Sequence, residues 1–321
     1  MAVYTEISDE ELDGLLGQYD LGQALSCKGI AEGVENSNFL LHTEAGYFIL
    51  TLYEKRVHAE DLPFFLGLME HLAAGGFTSP RPIPAKDGRN LKEVAGRPAA
   101  IIEFLDGRSV QRITPQHCAL LGQTLAQLHT IGSDFKLQRT NTLSVSNWRP
   151  LYTACRDSDH GNMPDDLLPE IEAEIGYLEA HWPSGLPSGV IHADLFPDNI
   201  FFLNDRVSGV IDYYFACNDF FAYDLAICLN AWCFENDDSF NITKARKLLN
   251  GYREVRNFSQ QELDFLPLLC RGAAVRFLLT RLFDWLNQVE GALVKPKDPH
   301  EYLKKLQFHQ AVISVAAYGL E

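Results

Sequence analysis

The sequence predicts an α+β chain of two lobes. A small antiparallel β-rich lobe spans residues 1–105, and a larger helical lobe spans 106–321. Three observations predict this. Short runs of β-branched and aromatic residues, separated by turn signals, fill most of the first part. From Thr114 onward apolar residues recur at helical spacing. The helical part is interrupted once, by a short strand pair around Asn204-Asp205.

The elements follow in order. Ser8 stands three residues before Glu11, a capping box, so a short first helix opens at 8–17. Residues 25–30 read as a strand, 29–37 as a loop with two glycines, and 38–42 as a second strand. Thr43-Glu44-Ala45-Gly46 supplies a hairpin turn into a third strand, 47–53. Residues 61–74 read as a helix stopped by Gly75-Gly76. Pro80, Pro82 and Pro84 exclude regular structure, because each lacks a donor and fixes φ. Strands at 89–94 and 97–105 flank an Ala95-Gly96 turn, and 103–107 form a hinge. Thr114 caps and Pro115 starts a helix to His129, with Leu120, Leu121, Leu125 and Leu128 along it. Residues 165–182 carry Leu168, Ile171, Ile175 and Leu178 on one helical face. Residues 224–234 and 261–289 are helical by pattern, and 200–203 and 207–211 form the inserted hairpin.

The formal net charge is −16, which disfavours nucleic acid and anionic lipid as partners. It also repels any polyanionic ligand, so a site for one must concentrate local positive charge or backbone N–H groups. No apolar run reaches the roughly 20 residues that span a bilayer. The first residues carry Glu6, Asp9, Glu10 and Glu11, the wrong sign for a targeting segment. A soluble cytoplasmic protein is expected. Seven cysteines, an odd number with no Cys-x-x-Cys pair, read as reduced small hydrophobes.

The chemistry concentrates at His192-Ala193-Asp194-Leu195-Phe196-Pro197-Asp198-Asn199. Protein kinases place Asn five residues after the Asp of His-Arg-Asp. The Asp orients the substrate hydroxyl and the Asn binds magnesium. The spacing here is the same, and Asp212 follows the hairpin where kinases place a second magnesium-binding Asp. Phosphoryl transfer crowds negative oxygens together. A cation must therefore sit between phosphates, and one hydroxyl must be aimed along the line of attack. His192 reads as support for the loop rather than as a reacting group, and Asp198 as a turn residue. A β-rich lobe, a hinge and a helical lobe with this hairpin is the layout of the protein-kinase-like fold.

Residues 190–224, Val190-Ile191-His192-Ala193-Asp194 onward through Val210-Ile211-Asp212 and Tyr223-Asp224, closely resemble the aminoglycoside phosphotransferase and choline kinase-like family. Within it, Gly29 to Phe39, Phe48 to Glu54, Phe104-Leu105-Asp106-Gly107 and the stretch from Arg271 to Asp284 are similar to the bacterial homoserine kinases. The resemblance covers nearly the whole chain. It implies transfer of the ATP γ-phosphate to the hydroxyl of L-homoserine, giving O-phospho-L-homoserine on the route to threonine, with ATP and Mg2+ as cofactors.

By position, the resemblance implies that Asp194 is the catalytic base and that Asn199 and Asp212 hold the metal. Gly29, Gly33 and Ser37 would belong to a loop over the phosphates, or to an ordinary hairpin turn. Glu103 and Leu105 would offer backbone contacts to adenine. Asp224 would brace the catalytic loop or cap its own helix. One departure stands out: Thr51 occupies the place of the third-strand lysine of related kinases, and Thr carries no charge. Lys28, Lys55 and Arg56 are the candidate substitutes, and Glu60 the candidate for the helix glutamate that pairs with that lysine. An amino-acid carboxylate is best held by Arg. Arg271, Arg276 and Arg281 lie on one helix without sharing a face, and Arg276 is the candidate for substrate. Inter-helix ion pairs are the plainer role for each. Two other readings remain open: a kinase of this fold acting on an amino alcohol or aminoglycoside, and a non-catalytic kinase-like binding protein. The sequence leaves the oligomeric state undetermined.

Overall fold

Capping chemistry opens the first helix as expected. In the computed structural model, which describes residues 4–30, 36–54, 57–158, 167–287 and 297–320, Ser8 and Glu11 exchange both bonds of the capping box at the start of α1 (Asp9–Leu16). Strands β1 (Ala24–Gly29), β2 (Ser37–Thr43) and β3 (Gly46–Leu52) then form an antiparallel meander. Helix α2 (Leu62–Ala74) follows, and β4 (Lys92–Val94) and β5 (Arg97–Glu103) complete a sheet of order β1-β2-β3-β5-β4. Ala95 and Gly96 both adopt positive φ, 51° and 68°, the two-residue turn whose twist suits a hairpin.

The sheet separates two cores. One side joins Leu12, Leu15 and Leu16 of α1 to Phe39, Leu41, Leu50 and Ile101. On the other, Phe65, Leu68 and Leu72 of α2, with Tyr53 and Ala100, belong to the main core shared with the helical lobe. The lobe boundary expected at residue 105 follows the chain; the packing crosses it through α2.

Past the hinge come α3 (Pro115–Ile131), α4 (Val145–Arg156) and α5 (Leu167–His181), then β6 (Ser188–Ile191), β7 (Ile200–Leu203), β8 (Arg206–Val210) and β9 (Cys217–Phe220). Helices α6 (Phe221–Trp232), α7 (Ile242–Val255), α8 (Gln260–Leu286) and α9 (His300–Gln310) complete the lobe. Strand β6 pairs antiparallel with β9, and β7 with β8. The hinge is tied to that hairpin: Arg108 and Phe202 exchange backbone bonds of 3.2 and 2.9 Å, and the Ser208 hydroxyl donates to the Asp106 carbonyl at 2.6 Å. Gly122 and Gly251 let α3 and α7 meet backbone to backbone. A Cβ on either would collide with a carbonyl oxygen, of Leu248 or Ala119 respectively.

Three helices escaped the sequence reading. Helix α4 carries Pro150 inside it, and its buried face is only Trp148, Tyr152 and Cys155. Helices α7 and α9 are mostly polar and find their apolar partners on α3 and α8. The β6–β9 pair is too short to show an alternation. Residue 165, the expected start of one helix, and 289, the expected end of another, lie outside the described residues.

All seven cysteines are free thiols, six of them buried. Burial pushes Cys155, Cys217 and Cys270 up to about 12, which keeps them inert. No described helix is long and apolar enough to cross a membrane.

Buried His309 donates to or accepts from the Tyr318 hydroxyl at 2.7 Å, and burial lowers its pKa to about 3. A histidine depressed in the folded state is neutral there while its unfolded counterpart titrates near 6.5. Stability is therefore complete above about pH 6.5 and is lost as pH falls toward 3, by about 1.4 kcal/mol per pH unit for this group. Urea unfolding at a series of pH values checks this. The expected midpoint falls steadily below pH 6.5 and is flat just above it.

Candidate active site

Strand β6 delivers the chain to His192, and the backbone then kinks. Ala193 takes φ 63°, a left-handed conformation that an L-residue adopts only when its surroundings impose it. Asp224, buried in the first turn of α6, imposes it. Its Oδ2 accepts the His192 N–H and its Oδ1 the Ala193 N–H, each at 2.8 Å. From the opposite side, the Arg276 Nη1 donates to the Ala193 carbonyl at 2.5 Å. Helix α6 begins at Phe221, so Asp224 braces the loop that follows β6 and does not cap its helix.

Asp224 is itself held by His129 on α3, whose Nε2 lies 3.0 Å from Oδ2. Burial alone would push the Asp224 carboxyl up. Bonds from His129 and the loop N–H groups outweigh burial and hold it below the ordinary range. Burial pushes His129 down, so the imidazole is neutral beside a carboxylate. His192 is lowered for the same reason. It accepts the Asp194 N–H at Nδ1 (3.3 Å), which leaves Nε2 to donate to the Ile211 carbonyl at 3.0 Å. It joins the loop to the end of β8 and has the supporting position expected of it.

The β7–β8 hairpin sets the next two residues. Ile200 faces Val210, and the Ile211 N–H donates to the Asn199 carbonyl at 3.0 Å. The open end of the hairpin thus places Asn199 beside Asp212. The Asn199 Nδ2 reaches back to the Asp194 carbonyl at 2.8 Å and to its Oδ2 at 3.3 Å. Asn199 is thus bonded to Asp194 through its side chain and, through its own carbonyl, to Ile211, the residue before Asp212. Asp198 is exposed in the short turn Pro197–Asn199, as a turn residue should be.

Asp212 also sits at positive φ, 64°. Burial raises its carboxyl to about 6, against a lowering bond from the Tyr214 N–H and a raising charge at Asp198. Its Oδ1 is buried without a hydrogen-bond partner. Asp212 thus offers an orphaned carboxylate oxygen, and Asn199, whose carboxamide nitrogen is already committed, offers its carboxamide oxygen. That is the donor chemistry of a hard divalent cation such as Mg2+, whose remaining positions water and phosphates can fill. Among the described residues no cluster of three His, Cys, Asp or Glu could hold a metal.

The other expected residues are distributed as follows. Gly29 ends β1, opposite Phe39. Gly33, Lys55 and Arg56 lie outside the described residues. Ser37, expected in a loop whose backbone N–H groups would cover the phosphates, has its side chain engaged within the fold. Its hydroxyl donates to the Glu54 Oε1 at 2.8 Å and accepts the Tyr4 and Thr5 N–H groups, which fixes the loop's end to β3 and the N-terminal segment. Glu103 ends β5, its carboxylate accepting the Arg81 N–H at 3.0 Å. Residues 104–107 leave the sheet, with Leu105 packed over Gly209.

Thr51 is 1% exposed and its hydroxyl donates to the Asn38 Oδ1 at 2.8 Å, so the side chain at that place is neutral and hydrogen-bonded. Lys28 is exposed on β1, and Glu60 is exposed in a short turn before α2. Its neighbour Asp61 is engaged instead, with the Arg139 Nε at 2.8 Å. Arg276 is 2% exposed and grips the loop backbone, so it is not open to a substrate carboxylate. Arg271 pairs bidentately with Glu174 and Arg281 with Glu301. The sequence reading missed His129. Its available signal was a polar residue falling on the buried face of α3, four and eight positions beyond Leu125 and Leu121.

Residues 26–258 match the model of the phosphotransferase enzyme family. Over all of this chain, the homoserine kinase of Paramagnetospirillum magneticum is 60% identical, with 100% of its own length covered. That of Xanthobacter autotrophicus is 61% identical, with 99% of its length covered. Among solved structures, an amicoumacin kinase in complex with AMP-PNP and Ca2+ superposes with a TM-score of 0.71 at 16% identity, covering 94% of this chain and 92% of that one. A choline kinase from Cryptosporidium parvum gives 0.64 at 16%, covering 94% of each. The expected protein-kinase-like fold is the fold observed.

Proposed function

The chain belongs to the phosphotransferase enzyme family, among its homoserine kinases, and on that footing we propose that Asp194 is the base of phosphoryl transfer from ATP to the side-chain hydroxyl of L-homoserine. The enzyme is an ATP-dependent small-molecule kinase, and its product is O-phospho-L-homoserine, on the route to threonine. The observation that carries the residue assignment is the bond from Asn199 to Asp194 at the open end of the hairpin that also bears Asp212.

In this reading the 1–105 lobe and the hinge at Glu103 and Leu105 hold the nucleotide. Asn199 and Asp212 hold Mg2+, which would neutralise the charge gathering on the transferred phosphoryl group. Asp194 accepts the hydroxyl proton and orients the oxygen along the line of attack. Asn199 keeps the Asp194 carboxylate in one orientation. Asp224, His192 and Arg276 hold the backbone on either side of Ala193. Arg276 is thus a positioning residue, and the homoserine carboxylate is met by another group. The distant structural neighbours support the fold alone, and nothing in this site favours an amino alcohol or aminoglycoside.

Coupled ADP release across L-homoserine, choline, ethanolamine, L-serine and kanamycin tests the substrate. Turnover with L-homoserine, and far weaker or no turnover with the others, is expected. No signal with homoserine alongside turnover of another compound would overturn the reading.

A further inference from the structure

In the kinases that this chain resembles, a third-strand lysine grips the nucleotide phosphates and pairs with a helix glutamate, tying the strand to that helix; here that place is taken by a neutral, hydrogen-bonded Thr51. Among the described residues, a partly buried cation bridges the lobes elsewhere, at Arg139. Its backbone is clamped to β9 in both directions: its N–H donates to the Asn218 Oδ1 at 2.8 Å, and its carbonyl accepts the Asn218 N–H at 2.7 Å. The side chain then spans two lobes. Nε donates to Asp61, the residue before α2, at 2.8 Å, and Nη1 donates to the Ala216 carbonyl at 3.2 Å. The guanidinium lies 5.0 Å from the centre of the Phe65 ring.

Phe65 carries the contact onward. Its ring is buried and meets the Tyr214 ring edge to face at 5.7 Å. Tyr214 is two residues past Asp212, and its N–H is bonded to the Asp212 carboxyl. One continuous path therefore joins the start of α2 to the carboxylate assigned to the metal. The guanidinium fork holds both ends of the segment that follows Asp212 in register with the N-terminal lobe.

We propose that Arg139 is a positioning residue: paired with Asp61 and the Ala216 carbonyl, it latches α2 to the Asp212 segment and so sets the lobe registry that a third-strand lysine does not supply here. This rests on the reading of Asp212 given above. The pair is about four-fifths buried, with side-chain exposures of 15% for Arg139 and 25% for Asp61, so removing one partner leaves the other unpaired and lowers stability, and each variant's unfolding transition is measured beside its kinetics.

The test is steady-state kinetics of the full chain with ATP, Mg2+ and L-homoserine, at a temperature well below each variant's unfolding transition. Arg139→Met and Asp61→Asn are each expected to lower kcat/KM for ATP by about tenfold, mainly through KM. The double variant should be no worse than the poorer single one, because both remove the same contact. Arg139→Lys, which keeps the charge without the fork, should recover part of the loss. Kinetic constants within twofold of the unaltered enzyme in both single variants would overturn the proposal. So would additive losses in the double variant, or a loss of activity matching the fraction of unfolded protein. Asp194→Asn, measured alongside, separates the two levels. If it is inactive while the Arg139 and Asp61 variants are normal, only the latch fails. If it is active, the underlying reading fails.

Discussion

Asp194→Asn is expected to lower kcat by about 10²–10⁴, the usual worth of a positioned base, with the fold intact. The carboxamide is isosteric, so the Asn199 bond to the Asp194 carbonyl survives and one oxygen remains for the second bond. What is lost is a group able to accept the hydroxyl proton, together with the negative charge that orients the hydroxyl. The deficit should appear in kcat with little change in the KM for ATP, since the nucleotide does not depend on this carboxylate. Single-turnover phosphate transfer, with the unfolding midpoint as a control, checks it. A variant within threefold of the unaltered rate would remove Asp194 from the chemistry.

The second large effect is on stability and activity together. Asp224→Ala strips a buried carboxylate from three hydrogen-bond donors at once: two loop N–H groups and the His129 ring. Removing one member of a buried charged network typically costs about 3–5 kcal/mol, because the remaining polar groups stay buried and unpaired. Ala193 would also lose what holds it at positive φ on the N–H side, while Arg276 still pulls on its carbonyl. The expected result is a large fall in the urea midpoint. Even where the protein remains folded, turnover should drop, because Asp194 hangs on that kink. A midpoint unchanged within experimental error would mean that the brace is not stabilising. The same carboxyl makes the site acid-sensitive. It is held below its ordinary range, so its stabilisation is present above the unfolded pKa and is lost as pH falls through the folded one.

Much of the reacting cluster was legible because short loops set it. Four residues separate Asp194 from Asn199, and a tight hairpin returns the chain to Asp212, so spacing nearly dictates geometry. The supporting partners were not legible, because they come from far along the chain. Arg276 meets Ala193 across 83 positions, and His129 meets Asp224 across 95. Arg276 therefore suggested substrate, whereas burial turned it toward a carbonyl of the fold; Arg271 and Arg281 make the inter-helix ion pairs that were the plainer role for each. The partners of the Ser37 hydroxyl, Glu54 and the N-terminal backbone, lie 17 and 33 positions away, so spacing could not reveal them. Helices α4, α7 and α9 were lost because their polar composition hid narrow apolar faces that are buried against other helices.

The most direct test is a crystal structure with AMP-PNP, L-homoserine and Mn2+ in place of Mg2+, with the cation located by its anomalous scattering. The account requires the metal on the Asp212 carboxylate and the Asn199 carboxamide oxygen, at about 2.0–2.3 Å. It also requires the homoserine hydroxyl within about 3 Å of the Asp194 carboxylate. A metal–nucleotide complex bound away from residues 199 and 212, or a hydroxyl directed at any other base, would contradict it.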